Sequence, residues 1–233
     1  MICDDIIGTK RLGLPKEWFT SWINSFKSDG KVDIKKLDEF LLEKASSDNN
    51  VLSIKIMANQ IIHINNIYSL NPVNGRNKSE SLDSFYEAFK DATFAWVTRK
   101  DKVAQAVSRL MARKTGVYHH IVEDKKELST GNHFISNGQR VESDEYRYEE
   151  IAQEIKRIER EEAIIEKFLN KYSIGHTKII YEEAVNSRSY IQDVGRNLNQ
   201  FDIPLSPRKI KKIGGQKSLD WIARYNQDTK GKH

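Results

Sequence analysis

Residues 94–116 read FAWVTRKDKVAQAVSRLMARKTG, an apolar run joined to an amphipathic segment through one arginine. Phe94, Ala95, Trp96 and Val97 are too few for a helix and suit a buried strand, which Thr98 and Arg99 bring to an end. From Val103 the apolar positions recur as Val103, Ala106, Val107, Leu110 and Met111, the spacing of a helix packed along one face. Asp101 is placed to cap that helix and Gly116 to stop it. Arg99 then stands just past the carboxyl end of a strand and beside a helix N-terminus, where unsatisfied N–H groups and the helix dipole favour an anion. A guanidinium there can grip a phosphate with two hydrogen bonds without losing its charge. Ser108 falls on the flank of the same helix, in a stripe of small residues with Ala104 and Ala112. Two readings stay open for each residue. Ser108 either admits close packing of another element or touches a ligand, and Arg99 is either a solvated charge or an anion ligand.

Working outward, Val51–Met57 (VLSIKIM) has the alternation of a strand, Gln60–Ile67 can follow as a short helix, and 71–81 is a polar loop. Leu82, Phe85, Tyr86 and Phe89 predict a helix that feeds the strand at Phe94. Beyond Gly116, residues 119–144 are polar with little periodicity and predict an extended loop or lid. The longest helix is predicted near Glu145–Tyr172, with Ile151, Ile155, Ile158, Ile165, Leu169 and Tyr172 on one face and a solvated charged face elsewhere. Thr177–Tyr181 is the third strand. Glu182 and Glu183, which follow it, suit a helix start or partners for basic residues. Helices near Ser189–Asn199 and Ser218–Tyr225 complete the chain, and further helices are expected at Ile2–Ile7 and after Pro15. Strands separated by helices predict an α/β fold with a mainly parallel sheet flanked by helices, and the length suits a single domain over 1–233.

Charged residues make up 30% of the chain and apolar residues 38%, which places it among globular proteins with a wet surface. Cys3 is the only cysteine, so no intramolecular disulfide can form; with no leader pattern and no apolar run of membrane-spanning length, a cytoplasmic location is expected. The net charge is +5, and the stretch from Leu205 holds eight lysines and arginines against two aspartates. A basic tail of this kind can meet nucleic acid, but aromatic residues are not interleaved in it as stacking platforms, so nucleic-acid binding is not expected. The six histidines show no metal-ligand spacing, and His119–His120 suits the start of a polar loop.

The string Arg99–Ser108, RKDKVAQAVS, closely resembles the segment that holds the 3′-phosphate of PAPS (3′-phosphoadenosine 5′-phosphosulfate) in bacterial sulfotransferases of the trehalose 2-sulfotransferase type. The resemblance implies that Arg99 and Ser108 bind that phosphate. It continues over Met111–Tyr118, with Leu110 and Tyr118 where the family has tryptophans. Gly13–Phe19, GLPKEWF, is similar to the family's Gly-x-Pro-x-Glu-aromatic-Phe element, whose glutamate is the proposed general base. Glu17 takes that place, although Pro15 followed by Glu17 also reads as an ordinary helix start. Ile179–Glu182 resembles the family's late strand, and Lys212–Trp221 its C-terminal basic segment, with Lys212 and Lys217 where the family has arginines.

Family members begin with a strand and a Ser-Gly-Ser-Thr-like loop that surrounds the donor's 5′-phosphosulfate, whereas Met1–Asp5 matches the helix after that loop. The expectation is a P-loop-like sulfotransferase fold lacking its first strand and loop. By resemblance, the implied activity is transfer of a sulfuryl group from PAPS to a hydroxyl of a carbohydrate or glycolipid, without a metal. The alternative is a catalytically inactive sulfotransferase-like protein that binds a nucleotide or a partner.

Overall fold

The computed structural model describes residues 27–28, 31–45, 53–69, 81–115, 119–123, 126–130, 145–200, 203, 210–211 and 215–231. The helices expected at Ile2–Ile7 and after Pro15, the loop at 71–80, and Gly116 lie outside these residues. In chain order the elements are β1 (Lys27–Ser28), β2 (Lys31–Val32), α1 (Ile34–Ala45), α2 (Ala58–Tyr68), α3 (Asp83–Phe89), β3 (Phe94–Thr98) and α4 (Lys102–Thr115). They continue as β4 (His119–Glu123), β5 (Lys126–Thr130), α5 (Tyr148–Lys171), β6 (His176–Ile180), α6 (Tyr181–Asn186), α7 (Ser189–Asn197), β7 (Ile210–Lys211) and α8 (Gln216–Lys230).

This is a helix-dominated α/β fold. β3 and β6 form a small parallel sheet. β1 pairs antiparallel with β2, and β4 pairs antiparallel with both β5 and β7.

Several expectations need correction. Residues 53–57 form no strand. Ile54 and Met57 are exposed, and the Met57 N–H donates to Gln60 Oε1 at 2.8 Å, so this end of the segment serves as the N-cap of α2. Residues 119–123 and 126–130 are antiparallel paired strands rather than an open loop, with His119 opposite Thr130 and Glu123 opposite Lys126. Backbone pairing does not require apolar side chains, which is why a polar composition concealed it. β3 is not buried on both faces: Phe94, Trp96 and Thr98 face inward, whereas Ala95 and Val97 are exposed.

The residues cluster into two compact units. One comprises Met1–Trp96, Ile164–Ile179 and Ser187–Ile203. Its core joins Ile61, Leu82, Phe85, Phe168 and Leu169, with Phe89, Phe94, Trp96 and Tyr172 packed against them. Phe85 is 2% exposed, and its ring centroid lies 5.2 Å from that of Phe168 and 4.8 Å from that of Phe89. Buried Asn65 accepts the Phe85 N–H at 2.9 Å and donates to the Ser81 carbonyl at 3.3 Å, so a side chain of α2 satisfies one of the free amides that open α3. Gly195 is required by close approach, because a Cβ there would lie 2.5 Å from Ile203 Cδ1 and 2.8 Å from the Gln200 carbonyl oxygen.

The other unit comprises Val97–Ala163, Ile180–Asn186 and Pro204–His233. Its core joins Ala106, Val107 and Leu110 of α4, Ile151 and Ile158 of α5, and Trp221 and Tyr225 of α8. The acids of α5 are not simply a solvated face. Glu154, its side chain 4% exposed, meets Arg113 at 2.7 Å and Arg109 at 3.5 Å, and Arg109 also meets Glu161 at 2.7 Å. Lys114, nearly fully buried, pairs with Glu150 at 2.9 Å, and its ammonium sits 5.5 Å from the centre of the Trp221 ring. No helix among the described residues is long and apolar enough to cross a membrane.

Candidate functional site

Local sequence sets the frame of the β3–α4 junction. Asp101 Oδ1 accepts the Ala104 N–H at 2.8 Å, capping the third amide of α4. Thr98, buried at the end of β3, donates to Glu162 at 2.6 Å, and Lys102 Nζ bonds the same carboxylate, the Thr98 hydroxyl and the Arg99 carbonyl. Lys102 is thereby committed to α5, and Arg99, Lys100 and Asp101 form the lip of the junction.

Because β3 and β6 run parallel, the residues that follow their carboxyl ends become neighbours. The Arg99 guanidinium lies 4.2 Å from the centre of the Tyr181 ring, a cation–π contact, and its Nε is 3.6 Å from Glu182 Oε1. Glu182 Oε2 accepts the Lys100 N–H at 3.0 Å and Oε1 the Asp101 N–H at 3.3 Å. Lys100 Nζ meets Glu183 at 2.6 Å. Partial burial pushes the Glu182 carboxyl upward, but the amides of Lys100, Glu182 itself and Asp101, with Arg99, outweigh it and hold the group below the usual carboxylate range. Two backbone amides and a guanidinium thus converge on one negative group. That arrangement can bind an anion by charge-assisted hydrogen bonds.

Of the residues that the sequence singles out, Arg99 lies at this position. Ser108 is exposed on α4, six residues past its first, a rise of about 9 Å along the axis. Lys217 is exposed in the first turn of α8, its ammonium 5.9 Å from the Trp221 ring centre. Glu17 and Lys212 lie outside the described residues. Sequence reasoning anticipated that Glu182 starts a helix or meets basic residues, and it does both, but missed Tyr181 and the backbone amides as partners. The signal that could have found them is the parallel register of the two strands.

A separate open cleft in the same unit is lined by Tyr146, Tyr148, Arg224 and Asp228, among others. Arg224 covers the Tyr146 ring at 4.3 Å, Tyr148 stacks on Tyr225, and the Tyr146 hydroxyl donates to Asp228 at 2.7 Å. These ring faces and polar groups are already engaged with one another. Among the described residues no group of three or more His, Cys, Asp or Glu could hold a metal ion.

A family model described as Stf0 sulphotransferase matches residues 11–228, a span that takes in Glu17, Arg99, Ser108, Lys212 and Lys217. No curated protein matches the chain.

Proposed function

Because the chain belongs to the Stf0 sulphotransferase family, we propose that it transfers a sulfuryl group from PAPS to a hydroxyl of a carbohydrate or glycolipid. Arg99 holds the 3′-phosphate of the nucleotide at the start of α4, Ser108, about 9 Å further along that helix, is assigned to the same nucleotide from the family's motif, and Lys212 and Lys217 add positive charge around it. Glu17 takes the proton of the acceptor hydroxyl as that oxygen bonds to sulfur and the bond from sulfur to the nucleotide phosphate breaks. The donor supplies the activated sulfuryl group, and adenosine 3′,5′-bisphosphate is released.

The observation that carries this reading is the convergence of Arg99 with the Lys100 and Asp101 amides on one anion position. A guanidinium and two amides at a helix start suit a phosphate chemically. Calorimetric titration with adenosine 3′,5′-bisphosphate tests it. The wild type binds, and Arg99→Ala weakens binding at least about tenfold, the loss of one charge-assisted contact. Equal binding by both, or binding by neither, overturns it.

A further inference from the structure

We infer that Glu182 is a built-in competitor for the nucleotide's phosphate, so that affinity at the β3–α4 junction is set by displacement of its carboxylate. The inference rests on the reading of Arg99 as the holder of the 3′-phosphate. Glu182 accepts from the Lys100 and Asp101 amides and lies 3.6 Å from Arg99 Nε, occupying the donors that an incoming phosphate would use.

The occupancy is incomplete. Arg99 Nε is buried and has no hydrogen-bond partner, since 3.6 Å is too long for one. A planar carboxylate offers two oxygens, both already bonded to amides. A tetrahedral phosphate brings additional oxygens and more charge, so it can satisfy the amides and the guanidinium together. Displacement is also structurally easy. The Glu182 side chain is 34% exposed and sits in the first turn of α6, so a rotamer change returns it to water. Arg99 stays placed when Glu182 leaves, because the Tyr181 ring still supports its guanidinium at 4.2 Å. Neighbouring charges are otherwise engaged, Lys100 with Glu183 and Lys102 with Glu162.

The test is calorimetry with adenosine 3′,5′-bisphosphate and adenosine 5′-monophosphate on the wild type, Glu182→Gln, Glu182→Ala and Arg99→Ala, each first verified as folded by circular dichroism. Removing a negative charge beside the 3′-phosphate tightens the bisphosphate about tenfold in Glu182→Gln, or in Glu182→Ala if the glutamine variant does not fold. The monophosphate, which lacks the 3′ group, changes by less than about twofold. An unchanged or weaker bisphosphate affinity overturns the inference, as does an equal gain for both nucleotides, which would mark a general loosening. Loss of affinity in Arg99→Ala without a gain in the Glu182 variants defeats the competitor alone. Wild-type binding that ignores Arg99 defeats the nucleotide reading and the competitor with it.

Discussion

In the unit that contains α2, α3 and the end of α5, the interior is dominated by rings, Phe85, Phe89, Phe94, Phe168 and Tyr172; in the unit that contains α4 and α8 it mixes aliphatic side chains with Trp221 and Tyr225 and is edged by ion pairs. Ring packing rewards burial with little demand on direction, whereas the pairs of Glu150, Glu154, Glu161 and Glu162 with α4 require one register. The candidate anion site belongs to the second unit, and the difference explains what holds it. Lys102 on Glu162 and Arg113 on Glu154 fix α4 against sliding, and so fix the amides at its start.

The comparison can be broken most severely at Phe85. Phe85→Ala removes a side chain with two ring partners in a buried site, and the expected loss of about 3–5 kcal/mol is read from chemical denaturation. An effect below about 1 kcal/mol would mean that the rings are not the source of that unit's stability. Glu154→Ala sharpens the other side. It strands Arg113, which is partly solvated and can recover water, while Arg109 keeps Glu161, so a loss of about 2 kcal/mol is expected in the same measurement. Neutrality there would make the ion pairs decoration. The smallest change is Asp101→Ala, which removes the α4 cap and costs about 1 kcal/mol in thermal unfolding.

Much of the frame was legible in the chain. Apolar spacing located α3, β3, α4, α5, β6, α7 and α8 to within a few residues, and Asp101 was recognised as a cap, because helix periodicity and capping act over three or four positions. Within the strand expected at Val51–Met57, the described residues 53–57 form none, because alternation signals a strand only where a neighbour supplies pairing partners, and Gln60 instead holds the Met57 amide. The antiparallel pair 119–123 and 126–130 escaped because its polar residues carry no periodic signal, yet their amides and carbonyls pair all the same. Glu154 looked like any acid on a charged helix until α4 brought Arg109 and Arg113 to it.

The sequence by itself determined most of the helices, the strands β3 and β6, the Asp101 cap, and the family to which the chain belongs, since each rests on short-range spacing or on a consecutive motif. Only the tertiary structure decided that Arg99 rests on Tyr181 and that the Lys100 and Asp101 amides bind Glu182. Those partners stand about eighty residues apart along the chain, and they meet because two parallel strands end side by side.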